Sequence, residues 1–330
     1  MTRGHRVALL CVALVLGLLL CGPAIVSRAL ANIGLVVLTR ALAVNPKAPD
    51  GAAVAEAEQW LEHALAWDQA NPGVHRGLAW TTAIHAEYDE AAAAWQAGGL
   101  TALDLISRGD HARRSTYYQE ALWWYQQAVR LDPELMSCVA YLEYLALSDG
   151  GGGEAAQLRL QEAVSLDRGW LDVEMRCQAW HRWGRWLYEQ EHNSEAERAL
   201  HMAIEVCPQA QRFDRVVSES YRLLGLVQWN LEQLEQAVQT LEKAIQFDGR
   251  NAWAHVGFGK ALYRHDDQRM AEVEQEFTTA LTLEPADAGL WQSLIQFWLQ
   301  VGEDERAASL CLQAQRQGLV SELKEVCSSL

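Results

Sequence analysis

Residues 218–251 read SESYRLLGLVQWNLEQLEQAVQTLEKAIQFDGRN. Tyr221, Leu224, Gly225 and Gln228 recur at helical spacing, and Ala237, Leu241 and Ala244 do the same further on, so the stretch predicts two helices joined by a short turn. The order of sizes has a physical cause. Ala237 and Ala244 are small where two helices must approach closely, and Tyr221, Leu224 and Leu241 fill the gaps left around them. The unit spans 34 residues, the length of one helix–turn–helix repeat.

The same order returns on both sides. Trp180, Trp183, Gly184 and Leu187 precede Ala196, Leu200, Ala203 and Pro208. Phe258, Gly259 and Leu262 precede Val273, Phe277, Ala280 and Pro285, and Trp291, Leu294, Ile295 and Trp298 precede Ala307, Cys311 and Ala314. Toward the N-terminus the pattern weakens. Ala121, Tyr125, Ala128 and Pro133 follow a degenerate helix holding Leu105 and Gly109; Ala57, Leu61 and Ala64 form another, followed by Ala91, Trp95 and Gly98. Met136–Arg168 reads as one more unit, with Tyr141, Ala156, Leu160 and Ala163, in which Gly150 to Gly153 replace the tight turn. The chain resembles the tetratricopeptide repeat family, in its membrane-anchored bacterial form. That resemblance implies an all-α, right-handed superhelical solenoid of about eight helix hairpins, some degenerate, in which neighbouring units bury a shared core and the first helix of each lines a groove for a partner. Three interruptions make the array irregular: a loop at Asn45–Gly51, extra residues near Gln211–Val217 that lengthen a helix, and two near Gln268–Met270 that lengthen a turn.

Composition agrees with this class. The chain has 330 residues, half of them hydrophobic, yet no Pro/Ser-rich linker divides it and no β-branched run alternates strictly. The spacing divides it into an N-terminal segment (1–26), degenerate repeats (27–176), well-matched repeats (177–321) and a capping tail (322–330). A net charge of −16 argues against nucleic acid, whose phosphates need clustered Lys and Arg.

Val7 to Val26 carries no charged side chain and follows Arg3, His5 and Arg6. About 20 apolar residues can cross a bilayer as a helix, and basic residues before them place the N-terminus in the cytoplasm and the repeats across the membrane. The alternative is a signal peptide cut near Gly22-Pro23-Ala24 or Ala29-Leu30-Ala31, leaving a periplasmic or secreted protein. A lipoprotein reading of Cys21 is disfavoured by Leu20, where a small residue is required. Ser27–Val44 reads as the first helix of the first repeat; Arg28, Asn32 and Arg40 disfavour a second span.

No catalytic signature is present, neither H-E-x-x-H nor G-x-S-x-G nor a phosphate loop with its lysine. The histidines scatter, so neither metal nor cofactor is expected, and the chain reads as non-enzymatic. Cys177 and Cys207 sit at the start and end of one hairpin, where the ends lie side by side, and are either a disulfide or two buried thiols; Cys138, Cys311 and Cys327 show no metal-ligand spacing.

The resemblance assigns the groove to the exposed residues of first helices: His181, Arg185 and Tyr188; Arg222 and Trp229; Trp253, Lys260, Tyr263 and Arg264. Gln178, Glu189, Glu219, Leu226, Asn230 and Val256 complete that face. Bases and aromatics outnumber acids on it, which suits a protein or peptide partner, with an acidic segment one option. The carboxylate clamp of chaperone-binding members is not reproduced, because Arg185, Leu226 and Lys260 stand where asparagine is expected. The function expected is a membrane-tethered scaffold that binds a protein partner through its groove, for assembly or stabilisation of a membrane or envelope complex. The alternative is a glycan-binding module built on exposed tryptophans, since Trp80, Trp95, Trp123, Trp124, Trp186, Trp229 and Trp253 are available to stack on sugars.

Overall fold

The computed structural model describes residues 22–44, 51–84, 94–207, 213–319 and 321–327. The apolar run before Gly22, the loop after Val44, Ala91 and Pro208 lie outside them. Every regular element among the described residues is helical, and the chain forms two compact units, residues 1–157 and 158–330.

In the first unit, α1 (Gly22–Val44), α2 (Gly51–Trp67) and α3 (Pro72–Ile84) pack on one another, and α4 (Ala102–Arg114) pairs with α5 (Tyr118–Leu131), which meets α6 (Met136–Asp149). The described part of α1 takes in residues 22–26. Over Pro23–Arg40 it is long and apolar enough to cross a membrane. Its inner face is nevertheless used for packing: Ala31 lies in one cluster with Leu61, Ala64 and Val74, and Leu38 in another with Val54 and Ala57. Buried Ser27 Oγ also accepts a hydrogen bond from Asn71 Nδ2 at 2.9 Å. Packed in this way, α1 forms a hairpin with α2.

The helix α7 (Gly153–Leu166) crosses the boundary between the units. Its entry from α6 is the glycine turn, where Gly151 takes φ 78° and Gly153 φ 42°. In the second unit four hairpins follow: α8 (Val173–Glu189) with α9 (Asn193–Val206), α10 (Asp214–Asn230) with α11 (Leu234–Phe247), α12 (Ala252–His265) with α13 (Met270–Leu283), and α14 (Ala288–Gln300) with α15 (Asp304–Arg316). Each of the first three also packs its second helix on the next first helix, and α8, α10, α12 and α14 meet in sequence. The short α16 (Lys324–Cys327) closes on α14.

The repeated glycines explain why the hairpins are close. A Cβ on Gly184 would come within 2.7 Å of Leu200 Cγ, and one on Gly225 within 2.5 Å of Leu241 Cγ. On Gly259 it would come within 2.5 Å of Phe277 Cε1. Each first helix thus offers bare backbone to one large side chain of its partner helix. The turns are equally regular: Thr116, Glu191, Glu232 and Gly302 all take positive φ between the two helices of a hairpin.

Helix caps tie repeats together. Asn251 caps α12 by accepting from Ala254 N at 3.1 Å, and its Nδ2 donates to Ser218 Oγ on α10 at 3.0 Å. Ser218 in turn donates to the carbonyl of Ala244 at 2.8 Å. Asn71 and Ser27 make the corresponding link in the first unit. Two disulfides are present. Cys177 and Cys207 join the outer ends of the α8–α9 hairpin, with Cα atoms 4.8 Å apart, and Cys311 is bonded to Cys327, fixing the tail on α15. The tail also buries Leu323 in the core that runs from Ala237 to Ala314.

Candidate functional site

The first helices α8, α10 and α12 carry all nine groove residues named above; α8, α12 and the following first helix α14 have side-chain N-caps, and α10 has none. Asp172 accepts from Met175 N, Asn251 from Ala254 N, and Asp287 from Gly289 and Leu290 N, which ties three orphan helix starts to fixed positions. Asp287 Oδ2 also receives the indole N–H of Trp253 at 3.2 Å.

Two of the groove cations are neutralised on their own helices. Arg222 makes a bidentate pair with Glu219, both bonds at 2.7 Å, and exposed Arg185 contacts Glu189 at 3.1 Å. Burial opposes ionisation of Glu219, yet the guanidinium of Arg222 holds its carboxyl below the usual range. The other two cations lie on aromatic faces. Arg264 sits over the Trp229 ring at 5.4 Å, and Lys260 over Phe297 at 5.7 Å while donating to Ser293 Oγ at 2.7 Å. Burial lowers Lys260 to about 8, so it is a desolvated cation at neutral pH. Tyr263 packs edge-on against Phe297 and Trp298, and Tyr188 is half-buried.

A pocket of about 430 Å³ opens beside Trp229 and Arg264, with Asn230, Glu191, Asn193 and Glu232 as its remaining walls. Asn230 Nδ2 donates to Asn193 Oδ1 across it at 3.2 Å. The sequence reading placed Trp229, Asn230 and Arg264 on this surface and missed Glu191, Asn193 and Glu232, which come from the turns and from the start of α9. The signal for them was the repeat period, which puts Glu191 and Glu232 at the same turn position.

His181 lies deeper. Its Nδ1 is 2.8 Å from Ser220 Oγ, and Ser220 donates to the carbonyl of Val216. Burial lowers its pKa to about 4, helped by Arg185, Arg182 and Arg222 and opposed by Glu219. The native ring is therefore neutral, whereas in the unfolded chain it takes a proton near pH 6.5. Between those values the unfolded state binds more protons, so His181 makes the fold less stable as pH falls from about 6.5 to about 4, by up to roughly 3 kcal/mol. Urea melts of the native chain and of His181→Gln at pH 7 and pH 4.5 should show the smaller pH dependence in the variant.

The tryptophans do not form a sugar platform. Trp80, Trp95, Trp123 and Trp124 pack edge to face on one another, with Arg108 over Trp80 and Trp124. Trp183 stacks on Trp186, Trp291 and Trp298 are buried, and the Trp229 face is taken by Arg264. Among the described residues Trp67, at 52%, is the tryptophan with a largely exposed ring. The glycan alternative finds no support here.

Residues 218–251 match the family model of the tetratricopeptide repeat. This stretch is a tetratricopeptide repeat. Its fold belongs to a class of protein–protein interaction modules, generally non-catalytic. Solved structures that match part of the chain include PilF of Pseudomonas aeruginosa, 19% identical over 66% of this chain and 91% of that one with a TM-score of 0.47. MamA of Desulfovibrio magneticus RS-1 is 22% identical over 56% and 96% with a TM-score of 0.42. YrrB, a TPR protein with an unusual peptide-binding site, is 18% identical over 58% and 90% with a TM-score of 0.42. No curated protein sequence matches the chain.

Proposed function

We propose that this protein is a membrane-tethered scaffold that holds an extended segment of a partner protein along α8, α10 and α12, in the assembly or stabilisation of an envelope complex. The observation that carries this reading is the Trp229–Arg264 pocket: an aromatic face under a cation that has no carboxylate bonded to it, walled by amides and carboxylates that bond peptide groups well. Lys260 continues the line toward α14. Because Arg185 and Arg222 are already paired with glutamates, the attraction for an acidic stretch rests on Arg264 and Lys260.

Two features support an extracytoplasmic location. The bonds Cys177–Cys207 and Cys311–Cys327 belong to an oxidising compartment, and Arg3 and Arg6 precede the apolar run. The packing of α1 favours retention of the N-terminal segment over cleavage after Ala31, which would cut through a helix already packed into the core.

Partner recovery from solubilised membranes tests the site. Trp229→Ala and Arg264→Glu should each reduce capture about 10-fold or more, the cost of losing an anchor. Arg185→Glu should change it less than about 2-fold, since an exposed, paired charge contributes little. Equal recovery by all three folded variants would exclude this face as the site.

A further inference from the structure

The outer face of α1 is unlike the rest of the molecule. Its inner face packs on α2 and α3, yet Ile25 is 53% exposed, Ile33 43% and Val36 50%. At 100° per residue these side chains share one stripe with Ala29. Exposed Arg28 borders it on one side, exposed Arg40 stands at its C-terminal end, and α1 contains no acidic residue. In a chain of net charge −16 this is a cationic, apolar surface. The stripe is also continuous in sequence with the charge-free run Val7 to Val26, in which Ile25 itself lies.

We infer that α1 lies flat on the membrane, with Ile25, Ala29, Ile33 and Val36 in the acyl-chain boundary and Arg28 and Arg40 bonded to anionic lipid phosphates. An apolar stripe edged by arginines is the pattern of an interfacial helix, because the long side chains can reach back to the headgroups. A transmembrane placement of α1 would take its packed face, with buried Ser27 and its bond to Asn71, away from α2 and α3. An interfacial placement keeps that face intact and wets neither Ile33 nor Val36. The consequence goes beyond tethering, on which the inference rests: the first repeat is docked at a fixed face, so α1, α2 and α3 meet the bilayer in one orientation rather than swinging on a leash.

The test uses the full chain reconstituted in vesicles, with a solvatochromic amino acid introduced at Val36, at Ile33, or at exposed Gln59 on α2 as control. Flotation after alkaline carbonate reports the tether separately. The expected result is a blue shift at positions 33 and 36, with quenching by brominated acyl chains, in phosphatidylglycerol vesicles. Gln59 should give no shift, and the shift should be much smaller in phosphatidylcholine. Arg28→Gln with Arg40→Gln should abolish most of the difference between the two lipids, at roughly 5-fold in partitioning per arginine. Water-like emission at both positions in protein that floats would overturn the inference and leave the tether standing. A shift on addition of anionic vesicles to protein that does not float would support the lipid face and remove the tether. A shift that develops with protein concentration in the absence of lipid would show that a second copy covers the stripe, and would also overturn it.

Discussion

Replacing Gly225 with leucine should lower the stability of the second unit by about 3 kcal/mol, near the upper end of overpacking costs. Even the first added carbon, a Cβ, would stand 2.5 Å from Leu241 Cγ, with both Cδ atoms close behind at 3.0 and 3.1 Å. The nearest atom is Leu241 Cγ rather than a flexible tip, so the whole leucine or the helix carrying it must shift. The decisive measurement is a double-mutant cycle. Gly225→Ala should destabilise the fold, Leu241→Ala should cost about 2–5 kcal/mol by leaving a cavity, and the double variant should lose clearly less than the sum, because the new methyl occupies space that the leucine vacated. Strict additivity in urea melts would mean that the two residues do not meet and that the hairpin register is wrong.

Removing the Cys177–Cys207 bond, by reduction or by changing both residues to alanine, should have the second large effect. The bond closes a loop with a sequence separation of 30, for which chain entropy alone assigns roughly 3–4 kcal/mol. The surrounding cluster of Phe213 and Val217 keeps two alanines buried without a polar penalty, so the loss should come mainly from the unfolded chain. A double-alanine variant with an unchanged denaturation midpoint would show that the cross-link contributes nothing to stability.

How much of this was legible in the sequence varies with the distance between the interacting groups. The Gly225–Leu241 contact was readable because both residues sit at fixed places in a period, and a period reports packing directly. The closeness of Cys177 and Cys207 followed from the same hairpin, although bonding could not be separated there from two buried thiols. The Cys311–Cys327 bond was not readable. Its second cysteine lies beyond the last repeat, in a tail whose return to α15 is set by the burial of Leu323 and by no pattern in the chain. The chemistry of the groove was half legible. Helical spacing put Arg222 and Trp229 on one helix but could not say that Arg222 would be held by Glu219 three residues earlier. Nor could it say that Arg264 would cross from α12 to cover Trp229. Glu191 and Glu232 were not legible as pocket walls, because their place beside Trp229 depends on two hairpins being stacked.

The tail bond has a consequence for how the molecule comes apart. A linear stack of hairpins is expected to fray from whichever end is loose, like a zip, since an inner unit is held on both sides and a terminal one on a single side. Cys327, stitched to Cys311, closes one of those starting points. In the oxidised protein the slowest amide exchange should therefore extend to α15 instead of fading toward the C-terminus, and mild reductant should restore the gradient before any groove residue is disturbed. Loss of the stitch would then register first as protease sensitivity at the tail, with the proposed partner surface on α8, α10 and α12 still in place.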